Sequence, residues 1–153
     1  MYNMEATSAP DRLNYSQEAH RVIARTDSEN YMGLGAGKLT RSELFLFAMA
    51  LGVESGHGTP FASTYGGGLV LDKSIDPKTR ACMFAQCISE LSNPSDQLDA
   101  IADKGSVYKI AEQYANTGFL IIDDYLNTKK PFDLALEIFM ELDEMYEQIN
   151  KVR

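Results

Sequence analysis

The residue best suited to chemistry in this sequence is a histidine in a long glycine-rich stretch. His57 lies between two glycines in residues 53–75, which show no helical period. An imidazole can act as an acid or a base near neutral pH, but catalysis needs a partner that orients the ring, and only Glu54 is near in sequence. Long loops in compact domains are commonly functional. We therefore predict a loop that contacts a partner through His57, Thr59 and Tyr65, and we keep a small enzyme using His57 as an alternative.

Residues 33–39, GLGAGKL, invite comparison with a phosphate-binding loop. The Walker pattern needs an earlier glycine where this chain has Met32, a serine or threonine where it has Leu39, and a buried strand upstream. None of the three is present in the sequence. We predict a flexible linker here and no nucleotide or other cofactor.

Thiols and carboxylates offer the remaining candidates for metal or acid–base chemistry. Cys82 and Cys87 lie five residues apart in a predicted helix, which separates them by about 140° around its axis, so we expect two free thiols. A row of carboxylates in the last predicted helix lies away from its apolar stripe, and we expect it to face solvent rather than a metal. Its members are Glu137, Glu141, Asp143, Glu144 and Glu147.

Length and composition indicate an ordinary globular protein. The chain has 153 residues, of which 44% are hydrophobic, and it is long enough to bury a core without disulfides or metal. We predict a flexible tail over residues 1–12 and a single domain over residues 13–153. The sequence has no signal-peptide pattern and no run of about 18 apolar residues, so we expect a cytoplasmic protein that does not enter a membrane.

The formal net charge of −8 is unevenly distributed. Residues 1–80 carry nine acidic and eight basic side chains, whereas residues 81–153 carry thirteen and six. Such a C-terminal half repels phosphate backbones. Any contact with nucleic acid is therefore expected to be local and N-terminal.

The best-specified element is a helix over residues 39–52, LTRSELFLFAMALG. Thr40 and Glu43 have the spacing of a capping box, and Gly52 is the expected left-handed terminator. The eight residues between Glu43 and Gly52 leave no polar face, which is typical of a helix in the middle of a core.

Other helices are predicted around this one, over residues 16–26, 76–91, 93–105, 106–127 and 133–151. Gly118 lies on the apolar stripe of the longest, where a close helix crossing would explain it. Two further stripes are expected to be buried. They are Ala81, Phe84, Ala85, Ile88 and Leu91 in one helix, and Ala135, Ile138, Phe139, Leu142, Tyr146 and Ile149 in the last.

The sequence thus predicts an all-α fold, a single-domain bundle of about six helices around a central apolar helix. Residues 69–71 have the composition of a short strand, so the glycine-rich loop is expected to form a small β-hairpin.

Two resemblances concern the first half of the chain. Residues 40–44, TRSEL, resemble the opening of the second helix in ribbon-helix-helix regulators, with a first strand expected near residues 13–15. Residues 16–90 resemble the small helical DndE-type proteins of DNA phosphorothioation systems in the order of their features. These are a first helix with Arg25, a turn with Gly37, the step TRSE, a helix ending ALGVESG, Thr59-Pro60, and a glycine-rich passage into a helix at Asp76.

The second resemblance implies a small accessory subunit that associates with itself and with modification-system partners, and that uses basic residues on DNA. The residues to which that role would transfer are Lys38, Arg41, Lys73, Lys78 and Arg80. The chain departs from the pattern in its acidic balance and its additional C-terminal helices. The leading hypothesis is a non-enzymatic accessory or adaptor protein of a prokaryotic DNA-modification or defence system, acting through protein contacts. The alternative from another class is a local DNA-binding or regulatory protein.

Overall fold

The computed structural model describes residues 10–29, 40–61, 63–91, 99, 101–128 and 130–151. This part of the chain forms an all-α bundle, as predicted. Residues 93–98 and 100 of the fourth predicted helix, over residues 93–105, and residues 1–9 of the predicted tail fall outside the described residues. Residues 99, 101 and 102 are helical, and Lys104 and Gly105 belong to the next helix. The elements in chain order are β1 (Arg12–Leu13), α1 (Gln17–Glu29), α2 (Arg41–Ser55), β2 (Val70–Leu71), a 3₁₀ turn (Asp72–Ser74), α3 (Pro77–Ser89), α4 (Lys104–Thr128) and α5 (Pro131–Lys151).

The two short strands pair with each other although they are far apart in the sequence. β1 is antiparallel to β2, with Arg12 opposite Leu71 and Leu13 opposite Val70. The strand predicted in the glycine-rich loop is therefore present in a small two-stranded antiparallel pair, whose other strand, β1, precedes α1. Leu13 is fully buried and fixes this end of the loop against the core.

Helix α2 begins as predicted. The Thr40 side chain accepts a hydrogen bond from the Glu43 amide, and the Glu43 carboxylate accepts one from the Thr40 amide, at 3.2 and 2.8 Å. The predicted terminator was wrong, because the helix continues through Gly52 to Ser55 and ends at Gly56, whose φ is 85°. A left-handed C-cap of this kind satisfies the last carbonyl groups of a helix.

The backbones of α2 and α4 meet at a close crossing, which confirms the role predicted for Gly118. A Cβ atom at Gly118 would lie 1.6 Å from the Ala48 carbonyl oxygen. A Cβ atom at Gly52 would lie 1.9 Å from the Tyr114 carbonyl oxygen. Glycine at both positions lets two apolar helices approach until their backbones touch. This crossing is the centre of the core, and α1 and α3 pack on α4 beside it.

Helix α3 is rotated relative to the prediction. Its buried residues are Thr79, Met83 and Cys87, one turn apart. The stripe expected to be buried, which runs from Ala81 to Leu91, is half-buried or exposed, so that prediction was wrong. The reason is polar: the Thr79 hydroxyl lies within hydrogen-bonding distance of both Asp76 and Ser42, which fixes the start of the helix in this orientation.

Helix α5 differs most from expectation. Its predicted stripe was expected to be buried, but Phe139, Leu142, Tyr146 and Ile149 are exposed, and only Ile138 is among the described side chains that pack against the core. Of the described helices, α5 has the least contact with the others.

Candidate functional site

The most unusual surface of the described residues is the apolar side of α5. Its side chains are between 49% and 68% exposed although they are large and apolar. An isolated exposed apolar residue is common on proteins, whereas a contiguous group marks an interaction surface. We call this group the α5 stripe, and it consists of Phe139, Leu142, Met145, Tyr146 and Ile149.

The α5 stripe follows from the spacing of its residues. They recur every three or four positions, so they lie on one side of the helix, the arrangement by which one helix packs on another. Ile138 lies on the same side and packs against the core. The stripe therefore begins at the bundle and continues past it.

Carboxylates surround the α5 stripe. The helix carries six acidic side chains and one lysine, and the six are all exposed. Lys151 pairs with Glu147 at 3.6 Å. At 100° per residue, Glu141 and Asp143 lie on opposite sides of the stripe, each about 40° beyond its edge. One carboxylate therefore lies at each border of the stripe, and the exposed side chains of Leu136 and Met140 lie further around the helix beyond Asp143.

The glycine-rich loop places the three residues predicted to contact a partner in different environments. His57 is exposed, and its Nδ1 lies 3.5 Å from the hydroxyl and the carbonyl oxygen of Ser55. In the described part of the chain, no carboxylate lies within hydrogen-bonding distance of this ring. Thr59 is turned inward, with its hydroxyl 2.7 Å from that of Thr117. Tyr65 is exposed and stacks on His20.

A chain of buried polar groups holds the loop to α4. The Ser16 hydroxyl donates to the Asn116 side-chain oxygen at 2.7 Å, and the Asn116 amide nitrogen donates to the Thr59 carbonyl at 3.1 Å. The Thr59 amide donates to the Gln113 carbonyl at 3.0 Å. Buried polar groups are costly unless they are paired. This network fixes one end of the loop from beneath while His57 stays in solvent.

Glu112 lies next to this network on α4. One of its carboxylate oxygens accepts a hydrogen bond from the Asn14 amide at 2.8 Å. Burial, which disfavours the charged form, raises the pKa of Glu112 to about 7, although the Asn14 bond acts in the opposite direction. A carboxyl group that titrates near neutral pH is a feature found at functional sites and in structural networks alike.

Three aromatic rings meet above the start of α1. The His20 and Tyr65 rings are stacked, with centroids 3.7 Å apart and planes 7° from parallel. The Tyr15 hydroxyl lies 3.3 Å from His20 Nδ1, and burial raises the pKa of Tyr15. The sequence gave no signal for this contact, because 45 residues separate His20 from Tyr65.

The basic residues predicted to contact DNA are not equivalent. Arg80 is held by Asp72, through a contact of 3.3 Å to the carboxylate and a hydrogen bond of 2.9 Å to the carbonyl. Lys104, at 2.9 Å, and the Tyr108 hydroxyl also donate to this carboxylate, and with Arg80 they lower the pKa of Asp72 to about 2. Arg80 is thus a structural residue in this fold.

The other candidates are distributed as follows. Arg41, Lys73 and Lys78 are exposed, while Lys38 lies outside the described residues. The Ser42 hydroxyl donates to Asp76 at 2.7 Å, which brings together the starts of α2 and α3 and therefore the segments that carry Arg41 and Lys78. That bond and those from Thr79 lower the pKa of Asp76 to about 2.

The described residues contain no group of three or more metal-ligating side chains. None of their helices has the length and apolar content that a membrane span requires. Cys82 and Cys87 are free thiols, and burial raises the pKa of Cys87.

No family model, curated protein or solved structure matches this chain.

Proposed function

We propose that this chain is a non-enzymatic accessory or adaptor protein that acts through protein contacts, and that the α5 stripe is its docking surface. The single observation that carries the proposal is the exposure of that stripe. Burying one such side chain is worth about 1.5 to 3 kcal/mol. A partner that covers several of them gains a strong and specific driving force for association.

The biological setting is proposed from the resemblance of residues 16–90 to the DndE-type proteins. An accessory subunit of a prokaryotic DNA-modification or defence system would act by joining other components. The acidic C-terminal half supports a role in contacts with proteins rather than with a phosphate backbone. The exposed position of His57, without a carboxylate to orient its ring in the described residues, agrees with a non-catalytic role.

Affinity purification of tagged full-length chain from its native host tests the proposal. The wild type is expected to retain a defined protein partner or a second copy of itself. The variant Phe139→Glu with Tyr146→Glu places two charges in the α5 stripe and is expected to lose that partner. Light scattering after size exclusion gives the mass of each complex.

A matched control is available on α4, where Leu120 is exposed but lies outside the stripe. Leu120→Glu introduces one such charge outside the stripe and is expected to keep the partner, and Phe139→Glu alone is the stripe variant of equal charge. Circular dichroism establishes that all variants are folded. A wild-type chain that remains monomeric and retains no protein, or a stripe variant that retains the same partner, contradicts the proposal.

A second candidate is local DNA binding, which one observation favours. The Ser42–Asp76 bond sets the starts of α2 and α3 side by side, so Arg41 and Lys78 are carried by neighbouring helix N-termini. Binding of this kind weakens steeply with salt. Arg41→Ala with Lys78→Ala should abolish a gel shift at low salt, whereas Lys109→Ala, an exposed lysine of the acidic half, should not. Wild-type chain that shifts neither duplex nor single-stranded DNA at low salt would eliminate this candidate.

A further inference from the structure

We infer that the occupant of the α5 stripe is an amphipathic helix with basic borders, supplied by another protein and not by a second copy of this chain. The inference rests on the proposed function and names the chemistry of the partner. Its basis is the arrangement of charge around the stripe.

The shape of the stripe selects a helix as its partner. Five large side chains are spaced three and four residues apart over about three turns of α5. A straight apolar ridge of this kind packs into the grooves of another helix, as in two-helix coiled coils and helix-binding surfaces. A partner helix presents apolar residues with the same spacing.

The acidic residues at the borders of the stripe favour a partner helix with basic flanking residues. Glu141 and Asp143 stand on its two sides, where the flanking residues of a packed helix would lie. The sole lysine of α5, Lys151, lies on the opposite side and pairs with Glu147. Lysine or arginine at the flanking positions of the partner would face carboxylates on both borders.

A second copy of this chain is disfavoured by the same charges. Two α5 helices packed through their stripes would set Glu141 and Asp143 of one against the same residues of the other. Like charges at flanking positions destabilise helix pairing. Acidic borders also repel an anionic membrane surface, to which interfacial helices normally present basic residues.

The test uses the full-length chain and three synthetic helical peptides. The peptides share one leucine stripe and differ only in their flanking residues, which are lysine, glutamine or glutamate. At about 50 mM salt the lysine peptide is expected to bind about tenfold tighter than the glutamine peptide, and the glutamate peptide least. The preference should shrink at about 500 mM salt, where surface charges are screened.

Two single variants locate the effect. Glu141→Lys changes a border residue and should reduce the preference for the lysine peptide by several fold. Glu144→Lys makes the same change of charge on the side of α5 opposite the stripe and should reduce it less. Equal effects of the two variants would show a response to net charge alone and would overturn the inference.

Other outcomes separate the inference from the proposed function. Equal binding of the lysine and glutamine peptides, or no binding of any peptide, overturns the inference. The proposed function would still stand if the variant Phe139→Glu with Tyr146→Glu lost a host partner that the wild type retains. A dimer at micromolar concentration that this double variant dissociates assigns the stripe to a second copy. Co-sedimentation with phosphatidylglycerol vesicles assigns it to a membrane. If the stripe variant and the control both keep the host partner, the proposed function itself is contradicted.

Discussion

The crossing of α2 and α4 and the stripe of α5 are both rich in large apolar side chains, yet one is the centre of the core and the other is exposed. The crossing contains two glycines, at positions 52 and 118, where each backbone touches the other. The α5 stripe consists of large side chains throughout and has no such site of close approach. Apolar content therefore indicates that a helix has something to bury, but complementary shape on a second element decides whether it does so within the same chain.

Gly118→Ala is expected to have the largest effect on stability. Its new Cβ would lie 1.6 Å from the Ala48 carbonyl oxygen, which is backbone and cannot move aside without separating the helices. We expect a loss on the order of 3 kcal/mol or more, measured by urea unfolding. Gly66→Ala is the control, since no atom lies within 4 Å of a Cβ there. Similar losses for the two variants would show that the close crossing does not hold the bundle together.

Glu112→Gln is expected to raise stability at alkaline pH. The pKa of Glu112 is raised to about 7, so the folded state binds a proton that the unfolded state has already released above about pH 4.5. The free energy of unfolding of the wild type therefore falls as pH rises through this window. At pH 8 the variant should be more stable by about 1 to 3 kcal/mol, with little difference at pH 4. Parallel curves of stability against pH for the two proteins would contradict this.

Asp72→Asn is expected to have the opposite sign. The Asp72 carboxylate accepts bonds from Lys104, Tyr108 and Arg80, and its lowered pKa of about 2 shows that the folded state favours the charged form. This contribution is present above the ordinary pKa of 3.8 and is lost as pH falls towards 2. We expect a loss on the order of 1 to 2 kcal/mol at pH 7, since the group is partly exposed. Asp124→Asn, an exposed carboxylate of α4, should leave the unfolding curve unchanged.

Phe139→Ala is expected to have the smallest effect on stability, because Phe139 lies in the exposed stripe and not at the crossing. Phe139 is exposed in the stripe, so its truncation should change the free energy of unfolding by less than about 0.5 kcal/mol. Phe119 is fully buried at the crossing, and Phe119→Ala should cost about 3 to 5 kcal/mol. Thermal and urea unfolding measure both. A large loss for Phe139→Ala would mean that α5 packs within the chain.

The structure agrees with the sequence where a feature depends on neighbouring residues. The capping box of Thr40 and Glu43 and the cap of α3 at Asp76 involve hydrogen bonds that span three residues, so their spacing predicts them. Gly118 was also predictable, because a glycine on the apolar stripe of a long helix is destabilising unless another backbone needs the space. The candidate loop residues could be named from the sequence, but the inward turn of Thr59 depends on Thr117, which lies 58 residues later.

The sequence by itself determined the starts of α1, α2 and α3, the amphipathic periods of the helices, the acidic surface of the last helix and the need for a close crossing, since each follows from contacts within about one helical turn. Only the tertiary structure decided the rotation of α3, the pairing of β1 with β2, the burial of Glu112 and the exposure of the α5 stripe. These features depend on which distant surfaces fit one another. An apolar stripe has the same spacing whether its own chain covers it or a partner does, and so its pattern alone leaves the two cases identical.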